Sequence, residues 1–222
     1  VRCGGGEDKV ESVDRMAIDL GLSTEEAQEL VSPGDRVLVR APQKRLLGTR
    51  ITSPALDDRA GCAALIRCAQ LLRDQTLSCG LTILLSSREE AGGQGAQTGA
   101  YSLKPTEAIA VDVSFAAQPG VDPAKCGKLG GGPMIGMAPI LNRPMTNRLM
   151  ELAKEHEIPY SMEIMGGETG TNADEIAVSR TGVPTAMVSI PLRYMHTPVE
   201  VIDTQDVAYT ARLLAEYVKG VD

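Results

Sequence analysis

Five side chains in this sequence are of the types that hold a divalent cation or move a proton beside one: Asp57, the adjacent pair Glu89 and Glu90, Asp112 and His196. Carboxylates and an imidazole without a thiolate suit Zn²⁺, Co²⁺ or Mn²⁺, rather than an iron–sulfur cluster or a purely structural zinc site. The spacing of the pair matters. Leu81, Ile83, Leu84 and Leu85 form a nearly continuous apolar run, which predicts a strand over 82–87 buried on both faces. The run stops at Ser86-Ser87-Arg88, delivers Glu89 and Glu90, and turns on Gly92, Gly93 and Gly95. Neighbouring residues leaving a strand point in different directions. One carboxylate could then face an ion while the other faces the reacting water.

Each position also has a plainer reading. A Glu pair on a loop is commonly just solvated. Asp57 or Asp58 could cap the helix that follows. His196, in Tyr194-Met-His-Thr-Pro198, could be a hydrogen-bonded loop residue. Asp112 is harder to dismiss, because it interrupts the apolar run Ile109-Ala-Val-Asp-Val113. A lone charge in a buried strand costs several kcal/mol unless it is paired or metal-bound. His156 sits between two glutamates in the last turn of a predicted helix, where a favourable charge at the helix end explains it.

The elements that must position these groups alternate. Helices are predicted over 60–73, 146–157 and 173–179, and a last one starts after Asp203 as N-cap and ends before Gly220. Strands are predicted over 82–87, 108–113, 133–138, 161–165 and 185–190. That order implies helices on a mostly parallel sheet, with a site in the crevice beyond the carboxyl ends of its strands. The first third differs. It has a short helix over 23–30 with Ser23 as N-cap, a turn at Pro33-Gly34-Asp35 and an alternating strand over 36–40, and so reads as a small β-rich module. The Gly-rich loops 127–132 and 166–170 lack the Lys-Ser/Thr that a phosphate loop requires.

Composition excludes several classes. The 222 residues carry a net charge of −7 and only 3% aromatic residues, without tryptophan, against a nucleic-acid surface and against base stacking. No apolar run reaches the length of a membrane span, and no signal peptide opens the sequence. The five scattered cysteines, Cys3, Cys62, Cys68, Cys79 and Cys126, form no CxxC and read as reduced thiols of a cytoplasmic protein.

Five motifs in order now resemble one family. They are Ala55-Leu-Asp-Asp-Arg-Ala-Gly61, Ser87-Arg-Glu-Glu-Ala-Gly92, Ile109-Ala-Val-Asp-Val113, Gly170-Thr-Asn-Ala-Asp174, and the stretch from Ser189 through Met-His196-Thr-Pro to Glu200. Together they resemble the TET-type, or glutamyl (deblocking), aminopeptidases. These are cocatalytic metallopeptidases, some of whose members are catalogued as endoglucanase-like. The resemblance runs from about residue 19 to the carboxyl end. It implies an α/β fold: a three-layer α/β/α zinc-peptidase-like catalytic domain over 51–222, with residues 1–50 as the carboxyl-terminal part of an inserted β-rich dimerisation domain.

By position, the resemblance makes Asp57 a bridge between two divalent metal ions, zinc or cobalt, with a cis peptide to Asp58. Glu89 becomes the general base, Glu90 and His196 complete one metal, Asp112 binds the other, and Gly170, Thr171 and Asn172 line the substrate pocket. Its implied partners are short peptides and further copies of the chain, as a dimer or a dodecamer. In that family one metal's histidine comes from a His-x-Asp segment ahead of the insert, which His156 and His196 do not supply. The sequence therefore predicts at most one tight metal on this polypeptide. It leaves open the alternative of a catalytically impaired fragment or a non-catalytic assembly subunit. A glycoside hydrolase would need two opposed carboxylates, which adjacent Glu89 and Glu90 do not form.

Overall fold

The computed structural model describes residues 12–221, and internal contacts divide the chain into two compact units, 1–39 and 40–222. In the first, Val13–Arg15 make a 3-10 turn and α1 spans Thr24–Leu30. The Ser23 hydroxyl accepts the Glu26 N–H, and the Glu26 carboxylate accepts the Ser23 N–H at 2.9 Å. This reciprocal cap satisfies two amides that a helix start leaves unpaired. The predicted strand over 36–40 does not form, and the described residues of this unit contain no strand. Alternation makes a strand only where a neighbour offers a ladder. Among the described residues none does, and Val37, Leu38 and Val39 are exposed.

The second unit holds β1 (Lys44–Arg45), β2 (Arg50–Ser53), α2 (Leu56–Leu72), α3 (Gln94–Leu103), β3 (Ala108–Phe115) and β4 (Met134–Met137). Then come α4 (Arg143–Glu155), β5 (Ser161–Ile164), α5 (Asn172–Ala177), β6 (Thr185–Arg193), β7 (Glu200–Asp203) and α6 (Thr204–Lys219). The long strand β6 is the spine of one sheet. On one edge β3 runs parallel to it, from Ala108 opposite Thr185 to Phe115 opposite Leu192. The other edge is shared. β4 pairs with Val188 and Ser189 and carries β5, whereas β7 pairs with Leu192 and Arg193 and carries β2 and β1. Ile190 and Pro191 fall between these two ladders.

Helices cover both faces. α2, α4 and α6 pack on one, where Leu149, Val188, Ile190, Leu192, Ala211 and Leu213 are wholly buried. Each large apolar side chain so buried contributes roughly 1.5–3 kcal/mol relative to exposure. A smaller cluster of Ala110, Leu141, Ala173 and Met187 seats α5 on the other face, with α3 against α5. The three-layer α/β/α arrangement is as expected, but the sheet is mixed rather than mostly parallel. Among the described strands only β3–β6 and β4–β5 are parallel pairs. The loop from Arg193 to Glu200 is too short for a crossover, so β7 must return antiparallel.

The apolar run over 82–87 forms no ladder, and Leu81 and Leu85 stay 42% and 55% exposed. No described strand pairs with it, so its hydrophobicity alone does not make it a strand. The Gly-rich loop over 127–132 is structural. The wholly buried Asp206, in the first turn of α6, accepts the Gly130 and Gly132 N–H groups at 2.8 and 2.7 Å. Gly132 has φ +85°, and a Cβ there would lie 1.7 Å from the Pro159 carbonyl oxygen.

Candidate metal centre

The site is built from a helix start, a turn and a loop between strands. α2 opens irregularly: Asp57 and Asp58 have non-helical dihedrals, and the peptide bond between them is cis. The two carboxylates then part ways. Asp58 caps the regular helix, accepting the Gly61 N–H at 2.8 Å, and its carboxyl lies so close over Gly61 that a Cβ there would meet Oδ2 at 2.2 Å. Asp57 points elsewhere. Its Oδ2 is 3.2 Å from His196 Nε2, which is 3.4 Å from Glu90 Oε2. One ligand atom from each of Asp57, Glu90 and His196 lies within 4.8 Å of the others. Two carboxylate oxygens and an imidazole nitrogen this close form a donor set that fits a divalent cation such as zinc or cobalt.

Glu89 and Glu90 open a 3-10 turn, Glu89–Ala91, entered through Arg88 at φ +61° and left through Gly92 at φ +107°. Ala55, Tyr194 and His196 are also left-handed, at φ +54°, +60° and +60°. Non-glycine residues adopt this region at a cost, and it gathers where surrounding structure fixes a functional geometry. Here it flanks all three segments that bring the cluster together.

Electrostatics mark the same place. Burial pushes the Asp57 carboxyl up to about 6 from its ordinary 3.8, with the charges of Glu90 and Glu200 adding and His196 opposing. Burial and the nearby Asp112 charge push Asp58 up to about 8. Asp112, 8% exposed, is pushed up to about 7 by burial first, then by Asp57, Glu89 and Glu90, against the Val113 N–H that its Oδ1 accepts at 2.8 Å. Burial and Glu90 also raise Glu89. Carboxylates that crowd together and resist ionising are those a bound cation would relieve.

Three of the four expected ligands thus converge. Asp112 shares their field but is not one of the three within 4.8 Å. Its strand also runs past the predicted end at 113, because β3 continues through Ser114 and Phe115 alongside Pro191 and Leu192. Glu89 adjoins the cluster through Glu90 and feels the charge of His196. Gly170, Thr171 and Asn172 lead into α5. The Thr171 hydroxyl caps that helix, Asp174 accepts the Gly170 N–H at 2.8 Å, and Asn172 Nδ2 donates to Ser86 Oγ at 2.9 Å, three residues before Glu89. Asn172 Oδ1 is buried without a partner. His156 lies at the end of α4, 3.5 Å from Glu216. The described cysteines are free, and no described helix is long and apolar enough to cross a membrane.

Two carboxylates escaped sequence reasoning. Glu163 accepts from Ser114 and Ser189 across the sheet, and burial raises its pKa. Glu200 accepts backbone N–H groups from both sides of the cluster. Neither had a local signal, because each acts through residues far away in sequence or across a turn.

The α/β/α fold has counterparts among known proteins. Residues 2–213 match the family described as M42 glutamyl aminopeptidase, and the chain belongs to that family. A lysyl aminopeptidase of Pyrococcus furiosus is 36% identical over 94% of this chain and 61% of its own length. A TET aminopeptidase from a Thaumarchaeota archaeon of marine sediment superposes with a TM-score of 0.85, at 29% identity, over 97% of this chain and 62% of that one. The Pyrococcus horikoshii TET1 peptidase, described as assembling into a tetrahedron or a large octahedral shell, gives a TM-score of 0.71 at 27% identity, over 98% of this chain and 67% of that one. The chain spans about three-fifths of the length of the curated relatives it matches.

Proposed function

We propose that this chain carries the reacting side chains of a metal-dependent aminopeptidase that removes amino-terminal residues from short peptides. The observation that carries the reading is the meeting of Asp57, Glu90 and His196 within 4.8 Å, with Glu89 immediately beside them. Asp57, Glu90 and His196 would hold one zinc or cobalt ion. Asp112, with Asp57 as the bridge, would contribute to a second. When bound, such ions polarise the scissile carbonyl, lower the pKa of water and anchor a free amine.

The protein's own groups supply the rest. Glu89 is spared from the ligand set, and burial together with Glu90 raises its proton affinity. Both properties suit a general base that takes the proton of the attacking water and hands it to the leaving amine. Glu90 and His196 are 59% and 63% exposed at their side chains, whereas Asp57 is 11% exposed. The cluster therefore opens on one side, where a peptide's first residue can enter beside Gly170, Thr171 and Asn172. The dodecamer and the tetrahedral or octahedral shell named for structural relatives support a homo-oligomer; residues 1–50 would be part of an inserted dimerisation domain.

The test is hydrolysis of aminoacyl-p-nitroanilides by protein loaded with Co²⁺ or Zn²⁺. Activity should vanish with a chelator, return with metal, and be lost in Glu89→Gln. Turnover indifferent to the chelator, or undiminished in Glu89→Gln, would defeat the reading.

A further inference from the structure

Glu200 opens β7 and is 2% exposed. Its two oxygens face different segments. Oε2 accepts the Leu56 N–H at 2.7 Å and the Asp57 N–H at 3.2 Å, while Oε1 accepts the His196 N–H at 2.9 Å. Ahead of the Asp58 cap, the irregular first turn that Leu56 opens has no acceptor of its own, since Ala55 provides none. Its first amides are instead received by a carboxylate from 144 residues away. The same carboxylate holds the backbone of His196 in its left-handed conformation. Neither segment has an independent reason to present its side chain toward the other.

We infer that Glu200 is the positioning residue of the metal centre: one buried carboxylate ties the backbone of Asp57 to the backbone of His196 and so sets the distance between two of the three ligands. This rests on the metal-binding reading above. Glu90 arrives on a separate loop that Glu200 does not touch, so losing Glu200 should loosen the site rather than abolish it. A charged acceptor is needed because three N–H groups converge on it, and hydrogen bonds to an ionised acceptor are roughly twice as strong as neutral ones. In Glu200→Gln the amide NH₂ must face one of the two segments, donor against donor. Glu200→Asp keeps the charge but is shorter by a methylene, and can reach only one segment at a time.

The experiment is zinc affinity by competition with a chromophoric chelator, beside the visible absorption spectrum of the Co²⁺-loaded full chain and the melting temperature of the metal-free chain. Asp206→Asn serves as the control, because it alters an equally buried carboxylate that clips backbone amides elsewhere. Glu200→Gln should bind zinc about tenfold more weakly or worse, in the range typical of groups that orient metal ligands, and should change the Co²⁺ spectrum. Asp206→Asn should lower the melting temperature and leave affinity and spectrum unchanged. Glu200→Asp, should Glu200→Gln fail to fold, must show an intermediate loss of affinity. Wild-type affinity and spectrum in a folded Glu200 variant would overturn the inference. A wild-type chain that binds no zinc would overturn the metal-site reading instead, which keeps the two failures distinct.

Discussion

Replacing Asp58 by Asn should change how the metal-free protein responds to pH. Burial and the neighbouring Asp112 charge raise Asp58 from 3.8 to about 8, so between those values the folded chain keeps a proton that the unfolded chain has lost. Asp112 and Asp57 do the same up to about 7 and about 6. A carboxyl whose folded pKa is raised contributes stability that is full below its unfolded value, near 3.8, and is lost as pH rises through the folded value. Near pH 7 the three together retain about 1.5 extra protons, which gives a loss of about 2 kcal/mol for each unit of rising pH. For a chain of this length that is about 4–8 °C in melting temperature per unit.

The amide of Asp58→Asn would mimic the protonated carboxyl, keeping an oxygen to accept the Gly61 N–H. The substitution removes more than half of those protons, so the slope should fall to about half of the wild-type slope or less. The gap between the two proteins should therefore widen in the variant's favour as pH rises toward 8, and level off above it. Thermal denaturation in a chelator, followed by circular dichroism from about pH 5.5 to 8.5, reads this directly. Equal slopes in the two proteins, or a wild type that gains stability as pH rises through 7, would show that the carboxylates are not crowded as described.

Four further outcomes are expected. Zinc affinity should rise steadily from about pH 6 to 8 in a chelator competition, because the raised protons of Asp57 and Asp112 must leave before their oxygens can coordinate. Glu90→Gln should weaken zinc binding about a hundredfold or more, beyond the cost of losing an orienting group. Glu89→Gln should keep its metal while turnover falls by about 10²–10⁴-fold, and equal loss of metal in both variants would refute the division of roles. Gly95→Ala should cost about 1–3 kcal/mol in urea denaturation, since the new Cβ would lie 2.3 and 2.4 Å from the Ser87 carbonyl oxygen and nitrogen.

What the sequence reveals here is what local chemistry decides. The acid cap at Asp203, the apolar face of α6 and the stop at Gly220 are complete within one segment, and that helix is found from Thr204 to Lys219. The Ser23 cap of α1 is legible for the same reason, and the structure adds the reciprocal bond to Glu26. β2 and β7 are four residues each and exist because Arg50 meets Asp203 and Ser53 meets Glu200 across the fold. No window of sequence contains both partners. The run over 82–87 is the converse case, apolar enough for a strand but without a described neighbour to complete it.

Candidate ligands were legible by type, because an aspartate amid Ile-Ala-Val-Asp-Val or a histidine after a buried strand is chemically conspicuous. Which aspartate of the pair turns to the site is not told by residue type, and only the family resemblance singled out Asp57. Asp58 folds back on Gly61 while Asp57 reaches His196, a choice made by backbone dihedrals rather than residue identity. Glu200 entered only as the last residue of a motif, and its task emerges only once Leu56 and His196 are neighbours in space.

Pro191 stands at a telling place on the central strand. The ladder from β4 ends at Ser189 and that from β7 begins at Leu192, so the residue unable to offer an amide hydrogen occupies the junction. Two antiparallel partners that share one edge risk creeping into each other's territory while the chain condenses. An imino acid at the boundary works as a fence: either ribbon, on advancing along β6, meets a position with no hydrogen to give and gains nothing by crossing. The ribbon of β4 and β5 and the ribbon of β7 that carries Glu200 are thereby kept in fixed alignment on a common rail.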